Sequence, residues 1–191
     1  LSRETSFLKE NLKVLHVAPE QVFYTKFKSL KKWNYTTTDL HSPLADIKAD
    51  LCDLPFEDNQ YDLILCNHVL EHIPDDIKAM RELYRVLKKD GTLIAQVPLE
   101  EKRETTFEDD TIIDKKERTR IFGQYDHLRV YGKDYYFRLQ SVGFKAEFSF
   151  DVASLSFVAV AKQAYACPLV SPETVIGEVG LVPKKMLSPK Q

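Results

Sequence analysis

The run Tyr61 to Cys66 (YDLILC), then an amphipathic segment, then Thr92 to Val97 (TLIAQV), constrains the fold more than any other part of the chain. A mostly apolar run of strand length is what a strand needs when both of its faces are covered. Between the two runs, Ile77, Met80, Leu83, Tyr84 and Leu87 recur three and four apart, which is one stripe of a helix. Asp75 and Asp76 open that stripe and Lys88 and Lys89 close it, both complementing the helix dipole. Gly91 falls where a left-handed C-cap is expected. A buried strand, a crossover helix and another buried strand make a right-handed parallel unit.

The alternation extends along the chain. Lys13 to Val17 reads as a strand, and Glu20 to Lys32 places Phe23, Phe27 and Leu30 on one helical face. Tyr35 to Thr38 is β-prone and stops at Asp39, and Ala45 to Asp50 is a weaker strand. Gly132 to Ser141 reads as a helix, and Phe144 to Phe150 with Leu155 to Ala161 as an antiparallel hairpin. After Leu99 the pattern breaks. Glu100 to Arg120 is dense in both charge signs and reads as a solvated loop with a short helix. Its place after a strand end makes residues 99–130 a candidate lid. The expected class is α/β, a parallel sheet with helices on both faces.

With 191 residues, 43% hydrophobic and 29% charged, the chain suits one domain over residues 1–165, with a proline-bearing tail at 166–191. The net charge of -2 and pI near 6.2 give no global basic field for nucleic acid or an anionic membrane. Cys52, Cys66 and Cys167 are too few and scattered for a disulfide framework. No long apolar run or signal-like start is present, so the expected setting is cytoplasmic, with neither nucleic acid nor membrane as partner. The start at Leu1-Ser2-Arg3, without Met, reads as a piece of a longer protein.

In open α/β sheets, ligands bind beyond the carboxyl ends of the strands. The residues there are His16 to Glu20, Asp39, Asp50 to Asp53, Asn67 to His72, and Pro98 onward. An acid ending the second strand, Asp39, can accept hydrogen bonds from both ribose hydroxyls. Asp50, just before LCDLPF, can accept one from an adenine amino group, with the Leu51 amide against the ring. Together they point to an adenosine nucleoside.

The run ADLCDLPFEDNQYDLILCNHVLEHIPD, with ELYRVLKKDGTLIAQVP after it, resembles the class I S-adenosylmethionine-dependent methyltransferases of the small-molecule type over roughly residues 13 to 162. The resemblance implies a Rossmann-like, doubly wound sheet of seven mostly parallel strands whose last strand is antiparallel. It implies S-adenosyl-L-methionine as cofactor, S-adenosyl-L-homocysteine as product and a small-molecule acceptor. It also implies a cofactor site of His16, Val17, Ala18, Glu20, Asp39, Leu40, Asp50, Leu51, Asn67 and His68.

The first loop departs from that family. Where the family has a glycine-bearing loop after an acidic residue, this chain reads VLHVAPE, with His16 at the acid's position. Pro19 removes a backbone donor and Glu20 adds bulk and charge, although Glu20 can bind the cofactor's amino group directly. The departure keeps a second reading open, a non-catalytic methyltransferase-like binding or scaffold domain. A nicotinamide-dependent oxidoreductase would need the phosphate-binding glycine loop that is missing.

Methyl transfer needs an aligned acceptor and, where the acceptor carries a proton, a group to remove it. His127, in FGQYDHLRVYG, is the first expectation for that role and His72 the second. Arg129 is expected to orient an anionic acceptor, and Tyr125 and Tyr131 to wall its site. His68-Val69-Leu70-Glu71-His72 also spells H-x-x-E-H, a zinc-protease pattern. That chemistry needs both histidines on one long helix, and Pro74 ends this segment within about one turn. The expectation is therefore a strand-to-helix loop and no metal.

Overall fold

The computed structural model describes residues 6–151 and 156–163. The expected tail at 166–191 and the predicted strand start at Leu155 lie outside these residues. A 3-10 turn at Phe7–Lys9 leads into β1 (Leu12–Val17), α1 (Gln21–Lys28), β2 (Trp33–Asp39), β3 (Ile47–Lys48) and β4 (Tyr61–Asn67). A single 3-10 turn at Leu70–His72 follows, then α2 (Asp76–Val86) and β5 (Leu87–Pro98). Residues 99–130 contain β6 (Phe107–Glu108), α3 (Lys115–Phe122) and β7 (Arg129–Val130); α4 (Tyr135–Ser141), β8 (Phe144–Asp151) and β9 (Ser156–Gln163) complete the described residues.

The main sheet has seven strands in the order β3-β2-β1-β4-β5-β9-β8. β1 to β5 pair in parallel, and β9 inserts antiparallel to both β5 and β8. This is the seven-stranded, mostly parallel Rossmann-like sheet that the sequence led us to expect. The chain starts at the centre, runs outward through β2 and β3, and returns to β4 on the other side of β1. The order therefore reverses between β1 and β4, where open sheets of this kind bind ligands.

Neighbouring residues of β1 and β4 feed opposite layers. Leu15, Ile64 and Cys66 pack with Ala79, Met80, Leu83 and Val86 of α2 and Tyr135 and Leu139 of α4. Val14, Leu63 and Leu65 pack with Phe27 of α1 and with Trp33. Both faces are covered, which is why YDLILC is apolar almost throughout.

Asp75 caps α2, its side chain accepting from the Lys78 amide at 2.8 Å. The other end differs from expectation. Leu87 is already extended (φ -77, ψ 138), so α2 ends without a left-handed cap and Gly91 lies inside β5. A Cβ on Gly91 would come within 2.8 Å of the Leu87 side chain and 2.9 Å of the Lys88 carbonyl, so close packing excludes a side chain there. Lys88 is a strand residue and pairs with Asp62 at 2.7 Å instead of facing a helix end.

The segment at 99–130 carries the expected short helix, and it also pairs with itself. Phe107 and Glu108 run antiparallel to Val130 and Arg129. α3 is capped by Asp114, which accepts from the amides of Lys116 and Glu117, and by Gly123 at φ 89.

Candidate cofactor and acceptor site

Two residues without glycine's freedom adopt left-handed backbone at the carboxyl ends of adjacent central strands: Ala18 after β1 (φ 48) and His68 after β4 (φ 53). Their strands are in register, Val17 opposite Cys66, so the two turns face each other at the switch point. Each is held by a hydrogen bond that extends the ladder, Ala18 N to Thr38 O and His68 N to Gln96 O, both 2.8 Å. Left-handed backbone costs an L-residue roughly 1–2 kcal/mol, and paired strain of this kind concentrates at functional sites. The missing glycine is thus replaced in conformation: Ala18 makes the turn that glycine makes elsewhere.

His16 and Glu20 complete that loop. His16 is fully buried in β1, its Nδ1 2.7 Å from the Tyr35 hydroxyl and its Nε2 3.0 Å from Glu20 Oε2. Burial, with Tyr24, Asp46 and Glu20 nearby, pushes the Tyr35 hydroxyl well above its ordinary range, so it stays protonated. One tautomer satisfies both contacts: Tyr35 O–H donates to Nδ1, and Nε2–H donates to the Glu20 carboxylate. Burial pulls Glu20 upward, but the His16 hydrogen bond, its own amide and the nearby His68 outweigh it and hold its carboxyl below the usual range. Glu20 is therefore an ionised, half-buried carboxylate close enough to His68 to feel its charge.

The two acids sit on neighbouring turns. Asp39 ends β2, where Oδ1 accepts from the amides of His41 (2.6 Å) and Ser42 (2.5 Å), and its carbonyl accepts from Ala49 N at 3.2 Å. Leu40 beside it is exposed. Asp50 Oδ1 accepts from Cys52 N at 2.8 Å, forming an Asx turn that buries Leu51. The following LPF segment is pinned by Arg85, which donates to the carbonyls of Leu54 (2.9 Å) and Phe56 (2.7 Å), and by Glu82, which accepts from Leu54 N at 2.8 Å. Asn67 ends β4 with its buried Oδ1 lacking a hydrogen-bond partner.

The 3-10 turn after β4 carries a second cluster. Glu71 is fully buried, and neither carboxylate oxygen has a hydrogen-bond partner; His68 Nδ1 stands 3.5 Å from Oε1. The contact with Glu71 raises the pKa of His68 against the opposing effect of burial, with the Glu71 and Glu20 charges adding to the rise. His72 and His127 meet edge to face, ring centroids 4.7 Å apart, although 55 positions separate them (127 − 72 = 55). One donor atom from each of Glu71, His72 and His127 lies within 4.8 Å of the others. The fold thus brings the two expected catalytic histidines together on Glu71, which the sequence had placed with His68 and His72 in the H-x-x-E-H run and not with His127. The half-exposed His68 is in a left-handed turn, and no helix joins the histidines, so the zinc-protease geometry is absent from this segment.

Arg129 and Tyr131 occupy a different place from the one expected. Arg129 is 3% exposed, with Nη1 donating to the carbonyls of Leu70 (2.8 Å) and Ile73 (2.5 Å), Nη2 to that of Pro74 (2.9 Å), and Nε to Glu108 (2.9 Å). Tyr131 is fully buried, and its hydroxyl donates to Asp76 Oδ2 at 2.7 Å, where Arg138 also makes a two-pronged contact. Arg129 fastens β7 to the turn after β4, and Tyr131 fastens its segment to the start of α2, which gives both a positioning role. Tyr125 is 52% exposed with Lys115 over its ring. Asp76 was read from the sequence only as a helix-start acid, and Glu108 and Arg138 were not singled out, because nothing local marks partners that meet only through the fold.

The strand order, the antiparallel β9 and the ligand-ready turns at β1, β2 and β4 define the class I S-adenosylmethionine-dependent methyltransferase fold. The methyltransferase-domain family model matches residues 7–95, a stretch that is similar to that family. An uncharacterized protein of Methanocaldococcus jannaschii is 38% identical over 93 residues, covering 48% of this chain and 41% of its own length. Demethylmenaquinone methyltransferase of Staphylococcus saprophyticus is 36% identical over 58 residues, covering 30% of this chain and 24% of its own. The matches thus span less than half the length of these curated relatives. Among solved structures, 1,6-didemethyltoxoflavin-N1-methyltransferase of Burkholderia thailandensis, with bound 1,6-didemethyltoxoflavin and S-adenosylhomocysteine, superposes with a TM-score of 0.62. It is 13% identical, with 84% of this chain and 74% of that one covered, so the likeness is one of fold. Among the described residues no helix is long and apolar enough to cross a membrane.

Proposed function

We propose that this chain binds S-adenosyl-L-methionine at the β1–β4 switch point and transfers its methyl group to a small-molecule acceptor. The observation that carries the reading is the pair of left-handed turns at Ala18 and His68, flanked by acids at the ends of β2 and β3 in this strand order. The Asp39 carboxylate accepts from the ribose hydroxyls, while Asp50 and the Leu51 amide take the adenine. His16, Val17 and Ala18 shape the first loop. Glu20, ionised beside His68, accepts from the cofactor's ammonium, with Asn67 and His68 on the same end and Leu40 flanking the ribose. The cofactor supplies the electrophilic methyl carbon.

The acceptor end falls to His127 and His72 on Glu71, with Tyr125 at its exposed margin. Arg129 and Tyr131 hold the turn that presents them. Residues 1–165 form the domain, 99–130 its lid and 166–191 its tail in this reading. Free thiols at Cys52 and Cys66 suit a reducing cytoplasmic setting.

Calorimetry with S-adenosylhomocysteine tests the proposal. We expect one site per chain, weakened by roughly 10–100-fold in Asp39→Asn, since one charge-assisted hydrogen bond is worth about 1.5–3 kcal/mol. A folded protein that takes up no ligand at millimolar concentration would contradict it.

A further inference from the structure

We infer that Glu71, His72 and His127 form a binding site for one divalent transition-metal ion, with two imidazoles and one carboxylate as ligands and at least one coordination position open. Three independent features of the structure support this.

The first is the donor set. One donor atom from each residue lies within 4.8 Å of the other two, though the residues come from the turn after β4 and from the lid. Ligand pairs around a tetrahedral ion with bonds near 2.1 Å are about 3.4 Å apart. A small inward movement of the side chains, one of them on a lid residue, closes the shell.

The second is the state of Glu71. A carboxylate with no exposed surface and no hydrogen-bond partner on either oxygen is costly unless something positive completes it. The His68 imidazole at 3.5 Å lies on one side only. Arg129, in the same network, is directed to the carbonyls of Leu70, Ile73 and Pro74 and to Glu108. The backbone at Glu71 is otherwise tied down, its carbonyl accepting from Leu128 N at 2.9 Å, so the side chain is held on the histidine side of the turn.

The third is the orientation of the two rings. His127 Nδ1 lies 3.0 Å from the Phe122 carbonyl, and His72 Nδ1 lies 3.3 Å from the Asp126 carbonyl and 3.5 Å from its carboxylate. A carbonyl can only accept, so each Nδ1 donates to it, and Nε2 is the ring atom through which each histidine would meet a metal ion. This is the arrangement that fixes the tautomer and raises the basicity of metal-bound histidines. Two imidazoles with one carboxylate suit zinc, iron(II) or cobalt(II) over magnesium or calcium, which take oxygen ligands.

For the reaction, this extension rests on the proposed methyl transfer. An ion with an open position beside His68 would bind an acceptor through an oxygen and acidify its hydroxyl. The oxygen lone pair then forms the new C–O bond, the C–S pair stays on sulfur as the thioether, and the hydroxyl proton passes to solvent. An oxygen-bearing acceptor is the class this site would take.

The ion itself can be tested without cofactor, so a failed cofactor experiment leaves the test standing. The chain is titrated with cobalt(II) and followed by visible absorption. One equivalent giving a band of a low-coordinate site, at least 100-fold weaker in Glu71→Gln and in His72→Gln, is the expected result. The zinc(II) complex of the unmodified chain, examined by X-ray absorption, needs no variant and should show two imidazoles and only nitrogen or oxygen ligands. Absence of stoichiometric binding, sulfur ligation, or equal affinity in folded Glu71→Gln would each overturn the inference.

Discussion

Removing the Arg129 guanidinium should destabilise the turn after β4 far more than removal of an ordinary site arginine. Its four hydrogen bonds reach three backbone carbonyls and Glu108, and Asp76 lies 4.0 Å from Nε. Glu108 is 40% exposed, so that ion pair accounts for about 1 kcal/mol at most. The rest of the loss comes from carbonyls left without donors and from buried Asp76 losing one of its cations. Breaking a buried charge network by removing one partner costs about 3–5 kcal/mol. In a chain of 191 residues that lowers Tm by roughly 6–20 °C. Arg129→Lys, which keeps the charge but loses the fork, should fall between the parent and Arg129→Ala. Thermal unfolding gives the magnitude, and amide exchange gives the location. Protection should drop first at Ile73 and Leu128, whose amides bond to Leu70 O and Glu71 O. If both variants keep the parent Tm and the parent exchange in this turn, the guanidinium does not hold it, and the role first expected for Arg129 in orienting an acceptor returns.

Two further outcomes follow from the loops. Ala18→Gly relieves roughly 1–2 kcal/mol of left-handed strain and gives back about 0.5–1 kcal/mol to the unfolded chain, so it should be neutral to slightly stabilising, whereas Ala18→Val should lower Tm clearly; equal effects would contradict the turn geometry. Glu82 should contribute pH-dependent stability. Its hydrogen bonds from Arg85, opposed by burial and aided by Leu54 N, lower its carboxyl pKa, so the stability it adds is present above the ordinary carboxylate pKa and is lost as pH falls through the lowered value. Urea midpoints of the parent and Glu82→Gln should therefore differ near neutral pH, by about 1–2 kcal/mol, and converge in acid; a difference that persists in acid would rule this out.

Much of the fold was legible because its signals are local. The apolar run at Tyr61, the stripe from Ile77 to Leu87, whose last residue opens β5 instead of closing α2, and the acids at Asp39 and Asp50 each carry their own pattern. Gly91 misled because a glycine after a basic pair looks the same whether it ends a helix or permits close packing in a strand. Only the extended backbone at Leu87 separates the two. The loop VLHVAPE looked broken because residue type was standing in for conformation, and Ala18 at φ 48 shows that the turn survives without glycine. Arg129 and Tyr131 could not be assigned from spacing, since, apart from Glu108, their partners are carbonyls and a carboxylate 55 to 59 positions away. The meeting of His127 with His72 and Glu71 was hidden for the same reason, although each histidine had been marked separately.

The most direct test is a crystal structure of the chain with S-adenosylhomocysteine. The account predicts the adenosine across Asp39 and Asp50, the amino-acid end between Ala18 and His68, and Glu20 turned from His16 toward the ligand ammonium. Ligand bound elsewhere, or crystals grown in saturating ligand with the switch point empty and Glu20 still on His16, would contradict it.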